Sequence, residues 1–163
     1  MDKPNFKLQY KNWSIRFFQE FEALAYKAIF ERGYVDVDFN KQHWNIHLKN
    51  ILSLNTNVVR LLFNEEVLVG FYILQFHVLP WNQRTYSLLS LLHLSPEFRS
   101  VGTYSSMFKD AEAIAKLNNA AAIQALDQSI LMQESERRTL FHNTGFNLAD
   151  NIWEKQDGDK IDG

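Results

Sequence analysis

The sequence contains no cysteine, and only 3 prolines and 6 glycines among 163 residues. Without a thiol there can be no disulfide, no thiolate zinc or iron–sulfur site and no cysteine nucleophile. An excess of either charge is also lacking, since 17 basic against 19 acidic residues leave a formal charge of -2. So even a balance gives little long-range attraction for a phosphate backbone and argues against a protein that coats DNA or RNA. Long hydrophobic runs are missing as well. The longest nearly uninterrupted apolar stretches, Val67–Leu74 and Leu88–Leu94, have the length of strands. A membrane span needs about 20 apolar residues. The opening MDKPNFKLQYKN carries no apolar region behind its basic start, as a signal peptide would. A soluble, cytoplasmic protein without membrane contact is expected.

What is present is enough for a proper core. The chain is 46% hydrophobic and 14% aromatic, which separates it from disordered sequences and suits one domain. No internal repeat, low-complexity tract or interdomain linker interrupts it. Residues 1–155 read as a single domain, and 156–163 as a polar tail.

Helical spacing comes first. Phe17, Phe18, Phe21, Leu24, Ala25 and Ala28 recur at three- and four-residue intervals, with Ser14 or Asn12 as cap and Gly33 as stop. A shorter helix is predicted over Asn40–Ser53, with Trp44, Leu48, Ile51 and Leu52 inward. Strands are predicted at Val58–Phe63, Val67–Val78 and Thr85–Leu94, rich in β-branched and aromatic residues. Apolar side chains on both alternating faces of the last two mean cover on both sides. A helix then begins near Gly102, with Met107, Phe108, Ala111, Ile114 and Ala115 inward. Ala120–Leu126 reads as a short strand, Glu134–Asn143 as a helix ended by Gly145, and Phe146–Lys155 as one or two strands. This order gives a mixed-sheet α/β or α+β domain with helices on both faces.

The most informative stretch runs from Leu91 to Tyr104. A buried strand meets a proline turn, then Arg99 and Gly102, then a helix. The first amides of a helix lack internal partners and lie at the positive end of its dipole. A glycine there lets the backbone approach a phosphate closely. No Gly-Lys-Ser/Thr follows, so this is not a Walker loop, and the glycines are too few for a dinucleotide fingerprint.

This stretch resembles motif A of the GCN5-related N-acetyltransferases, in which [Gln/Arg]-x-x-Gly-x-[Gly/Ala] opens a helix that holds the coenzyme A pyrophosphate. Arg99-x-x-Gly102 follows Leu94 in the register of that family, and Leu140-Phe141-His142-Asn143-Thr144-Gly145-Phe146 is similar to its Phe-Tyr-x-x-x-Gly-Phe. The likeness spans roughly Phe6 to Lys155, and the Pro80–Arg84 loop is similar to that of members carried by bacteriophages. It implies a mixed, mostly antiparallel sheet and a single acyltransferase domain. It further implies acetyl-CoA as cofactor, with pantetheine paired to the free backbone of Leu92, His93 and Leu94. The pyrophosphate would lie on the amides of Arg99, Ser100, Val101, Gly102, Thr103 and Tyr104. The acceptor would be a small-molecule or protein amine, with no nucleic acid, and a homodimer is one compatible assembly.

Three departures accompany the likeness. Tyr104 stands where the family prefers Gly or Ala, so it either crowds the pyrophosphate or swings outward. Phe141 replaces a tyrosine general acid and has no proton to give. Thr85–Leu94 contains no acid, although some members place a glutamate base at the position of Leu88. His93 is either the base that remains there or a core histidine with one partner. Asp127 either orients the amine or caps a turn; Tyr34 and Asp36 would shape the acceptor pocket, and Asp38 would line it or cap the second helix. His43 and His47 have a metal-ligand spacing without a third ligand nearby, and no metal is expected. Trp81 is either a substrate contact or an edge cover. The expected activity is transfer of acetyl from acetyl-CoA to an amine. The alternative is a catalytically degenerate member that works as a binding protein, for example against a host factor.

Overall fold

The computed structural model describes residues 7–78, 80, 81, 83–126, 130–149 and 152–156. Among them seven strands form one sheet: β1 (Leu8–Asn12), β2 (Asn57–Asn64), β3 (Val67–Val78), β4 (Thr85–Leu94), β5 (Ala122–Leu126), β6 (Asn147–Ala149) and β7 (Ile152–Gln156). The helices are α1 (Phe18–Glu31), α2 (Lys41–Ser53), α3 (Val101–Leu117) and α4 (Glu134–Asn143). The strand order is β1-β2-β3-β4-β5-β7-β6. Every neighbouring pair is antiparallel except β4 and β5, which run parallel with α3 as their crossover. The expected mixed, mostly antiparallel sheet with helices on both faces is therefore what the chain forms.

Each face of the sheet has its own core. On one side Phe21, Leu24, Ala25 and Ala28 of α1 and Leu48 of α2 cover Leu61, Phe71 and Ile73. On the other, Met107, Phe108 and Ala111 of α3 and Phe141 of α4 cover Leu74, Leu89, Leu92 and Ile123. Each large side chain so buried contributes about 1.5–3 kcal/mol.

The helix ends follow local chemistry. Asn40 caps α2 by accepting the His43 amide at 3.0 Å. Asp38 is not that cap; its own amide donates to Asp36 Oδ1 at 2.9 Å. Helix α1 starts at Phe18 behind a single 3-10 turn over Ile15–Phe17, and Ser14 makes no side-chain cap bond. Gly33 closes α1 at φ +76, with the Gly33 and Tyr34 amides donating to Phe30 O and Ile29 O at 3.0 and 3.1 Å. A left-handed glycine with these two bonds ends many helices.

Strands β3 and β4 and helix α4 have the bounds read from the sequence, while β5 starts at Ala122 rather than Ala120. Edge strand β1 was not expected. It pairs with β2 from Leu8↔Asn64 to Asn12↔Arg60, and Leu8 and Tyr10 pack on the α3 face. β7 extends to Gln156, one residue past the expected domain end. No helix among the described residues is long and apolar enough to cross a membrane.

Candidate functional site

The site begins where β4 loses a neighbour. β4 pairs with β5 from Tyr86↔Ala122 only to Leu89↔Ala125, a contact reinforced by Ser87 Oγ donating to Ala122 O at 3.0 Å. The register against β3 then slips: Leu74 faces Leu89 and Ile73 faces Leu91, so Ser90 is an extra residue. Such a bulge bends and twists its strand, and it bends β4 at the point where pairing with β5 ends. Among the described residues, β4 continues to Leu94 on the β3 side alone.

Beyond the bulge the peptide groups alternate in direction. Ser95 donates to Val69 O at 2.8 Å, which directs the peptides of Ser95 and His93 toward β3. Those of Leu92 and Leu94 consequently point into the gap. The carbonyls there are not free, contrary to the expectation of a free backbone at Leu92–Leu94. Arg32 Nη2 donates to Leu92 O at 2.5 Å, and Arg99 Nε donates to Leu94 O at 2.8 Å. A buried carbonyl without a strand partner costs about 1–3 kcal/mol, and the two guanidiniums remove that cost.

Both arginines are themselves held. Arg32 follows α1, and its Nη1 donates to Ala28 O at 2.8 Å, next to the negative end of the helix. Arg99 Nη2 donates to Glu31 Oε2 at 2.6 Å. The end of α1, the end of β4 and the turn before α3 are thus one junction. Its backbone is also tight, because a Cβ on Gly70 of β3 would lie 2.9 Å from His93 O. Sequence reasoning missed Arg32 entirely.

At the start of α3 the expected anion cradle is narrower than the six amides from Arg99 to Tyr104. Arg99 donates to Pro96 O at 3.2 Å, Thr103 to Ser100 Oγ at 3.1 Å and Tyr104 to Ser100 O at 3.0 Å. The amides of Ser100, Val101 and Gly102 take no part in those bonds. A Cβ on Gly102 would meet only Ser100 Oγ at 3.9 Å. Beside this turn a cleft of about 690 Å³ opens between Arg99 and the segment 130–137, with Gln133, Glu136 and Arg137 on its wall.

His93 is 2% exposed, on the α1 side of the sheet, with its ring 5.9 Å from that of Phe71. Its Nδ1 is buried without a hydrogen-bond partner among the described residues. Burial, reinforced by Arg32, lowers its pKa to about 4; Glu31 opposes this, while Arg99 and Lys27 add to it. The imidazole is therefore neutral at pH 7.

No protein-family model and no curated protein matches the chain. Solved structures do. A GNAT family acetyltransferase from Staphylococcus aureus superposes with a TM-score of 0.59 at 20% identity, covering 71% of this chain and 83% of its own. A predicted acetyltransferase from Clostridium acetobutylicum, solved with acetyl-CoA, gives 0.70 at 14% identity, covering 88% and 92%. An aminoglycoside 6'-N-acetyltransferase from Acinetobacter haemolyticus gives 0.66 at 13% identity, covering 94% and 99%. The chain has the fold of the GCN5-related N-acetyltransferases.

Within that acetyltransferase fold the two replaced aromatic positions both belong to the core. Tyr104 neither crowds the cradle nor swings outward: it is 1% exposed and packs inward with Leu94, Phe98 and Met107. Burial pushes its phenol up, against the pull of Arg99 and Arg32. Phe141 is fully buried, with its ring 5.3 Å from Phe108 and 5.5 Å from Phe146. Tyr34, Asp36 and Trp81 are exposed, and Asp127 lies outside the described residues. His43 and His47 are exposed on α2.

Proposed function

We propose that the chain is an acyl-CoA-dependent N-acyltransferase that moves acetyl from acetyl-CoA to an amine. The observation that carries this reading is the end of β4, which outruns its last β5 partner and leads directly to the start of α3. Gly102 fits the reading, since among the described residues a Cβ there would meet only Ser100 Oγ, at 3.9 Å. The amides of Ser100, Val101 and Gly102 would hold the pyrophosphate at the positive end of α3. The N–H groups of Leu92 and Leu94 would meet the pantetheine arm while the arginines keep the carbonyls. Bound acetyl-CoA supplies an acyl group already activated as a thioester.

The chain's own residues then position rather than activate. His93 cannot strip an ammonium, because its pKa of about 4 lies far below that of an ordinary amine near 10. At 2% exposed, His93 acts in this reading by shaping the end of β4, and holding the amine in line, worth several powers of ten in rate, falls to the acceptor pocket. Tyr34, Asp36 and Asp127 complete the acceptor side in this reading. With Phe141 in the core, the leaving thiolate takes its proton from water.

Phe141 also favours a second reading, a protein that binds without turnover. Calorimetry and thermal shift with acetyl-CoA, run alongside thiol release on an amine panel, separate the two. Ligand at 100 times its Kd adds about 2.7 kcal/mol of stability. Stabilisation with thiol release is the expected outcome. Stabilisation without release selects the second reading, and neither response removes the coenzyme A site.

A further inference from the structure

The two arginines at the end of β4 set terms for the cofactor, on the premise that the coenzyme A site of the acyltransferase reading holds. Among the described residues β5 pairs with β4 only as far as Leu89. Leu92 and Leu94 therefore turn both an N–H and a carbonyl toward the gap. A bare strand edge offers donors and acceptors alike, and an extended ligand with amides of its own uses both. This edge offers them unequally. Arg32 Nη2 donates to Leu92 O at 2.5 Å, and Arg99 Nε donates to Leu94 O at 2.8 Å. Each guanidinium is anchored from a second side, Arg32 by Ala28 O at 2.8 Å and Arg99 by Glu31 Oε2 at 2.6 Å. A hydrogen bond from a charged donor is roughly twice as strong as a neutral one, so the amide N–H of a ligand does not displace it. What the edge keeps for a ligand is the N–H of each residue.

We propose that Arg32 is a positioning residue that decides how the acyl donor is gripped: the pantetheine arm is held to β4 through its own carbonyls, and its amide N–H groups find no partner there. Arg32 acts through the Leu92 carbonyl, which it withholds from the arm, and Arg99 does the same at Leu94. The place of Arg32 suits this role, because it directly follows α1 and its Nη1 rests on a carbonyl in the last turn of that helix. Two consequences follow. The grip is indifferent to whether a linkage of the arm is an amide or an ester, since both carry the carbonyl that the β4 donors need. The arginine also restrains cofactor binding instead of assisting it. A protein without this guanidinium gives the arm one more acceptor and binds more tightly, the opposite of what loss of a merely structural contact would do.

The test is calorimetry, which needs no turnover, with acetyl-CoA and two analogues in which one or the other amide of the pantetheine arm is an ester. The ester keeps the carbonyl and lacks the N–H. The parent should bind both analogues within about twofold of acetyl-CoA, because no N–H bond to β4 is there to lose. Arg32→Met, which leaves Leu92 O without its charged donor, should bind acetyl-CoA roughly 2–10-fold more tightly than the parent, the range of one neutral hydrogen bond. One of the two analogues should forfeit that gain. Arg32→Lys, which keeps a charged donor at the position, should return to the affinity of the parent. Urea denaturation establishes that each variant is folded. Equal or weaker binding by a folded Arg32→Met, or a gain that both analogues or Arg32→Lys keep, overturns the proposal and leaves the acyltransferase reading standing. Should Arg32→Met not fold, the parent decides alone. A loss beyond about twofold with either analogue then means that a second lone pair of Leu92 O or Leu94 O serves the arm, and the proposal falls. A parent that binds neither acetyl-CoA nor coenzyme A overturns both.

Discussion

Two arginine-centred junctions tie the sheet to its helices, and they rest on different acceptors. On the α3 face, Arg60 of β2 donates Nε and Nη2 to the two oxygens of Asp110 at 3.0 and 2.9 Å, and Nη1 to Asn12 at 2.7 Å. The Tyr72 hydroxyl donates to the same carboxylate at 2.6 Å. There the strands pair fully, and side chains settle their charge among themselves. At the end of β4 the strand has lost its neighbour, so Arg32 and Arg99 serve backbone carbonyls instead. The first junction closes the fold; the second keeps a gap in it with the carbonyls of Leu92 and Leu94 paired.

The largest effect is expected where the closed junction is broken. Asp110→Ala leaves Arg60 without its carboxylate and Tyr72 without its acceptor, and should cost about 3 kcal/mol, as for other partly buried pairs that lose one member. On the open side, Glu31→Ala removes a carboxylate that is 29% exposed, and Arg99 keeps its bond to Leu94 O. That change should cost under about 1 kcal/mol. Urea denaturation of both variants measures the difference, and equal losses would abolish the distinction between the junctions.

The closed region was also the more legible one. Val67–Val78 and Thr85–Leu94 could be bounded in the sequence because polar turn residues flank unbroken β-prone runs. Gly33 and Gly145 marked helix ends because only a residue tolerant of positive φ suits them. The open region was read from Arg99 and Gly102, which located the gap but not its contents. Arg32 reaches Leu92 across 60 residues of chain, and no local pattern announces a cation that will meet a distant carbonyl. The bulge at Ser90 did leave a trace: inward positions shift from Ser87 and Leu89 to Leu92 and Leu94. Apolar side chains on both faces of Thr85–Leu94 hide that shift from a reading of the sequence. Strand β1 showed alternation at Leu8-Gln9-Tyr10-Lys11, but over too few residues to stand out.

A smaller effect is expected from pH, and it reports on the open junction alone. The folded pKa of His93, about 4, lies below the ordinary 6.5. Between those values the unfolded chain binds the extra proton, so stability rises with pH. The contribution is fully present above pH 6.5 and is lost as pH falls toward 4. The slope for one such group is about 1.4 kcal/mol per pH unit at most. His93→Leu should flatten the dependence of the urea midpoint between pH 4.5 and 6.5 relative to the parent. An unchanged slope would mean that burial at the end of β4 does not lower the His93 pKa.

The smallest change in stability, and the sharpest separation of fold from function, is expected at Gly102. It lies in the first turn of α3, exposed, without positive φ, and with open space where a side chain would go. Gly102→Val should therefore shift stability by no more than about 0.5 kcal/mol, since valine is the better helix residue and meets no neighbour. A phosphate resting on the amides of Ser100, Val101 and Gly102 would meet the new methyl groups at once. The parent should gain the ligand-induced rise in midpoint with acetyl-CoA, and the variant should lose most of it at an unaltered baseline. A variant that unfolds would assign Gly102 to the closed architecture, while one that binds as the parent does would move the phosphate away from α3. Only a folded protein that no longer responds to acetyl-CoA keeps the open end of β4 and the start of α3 as one site.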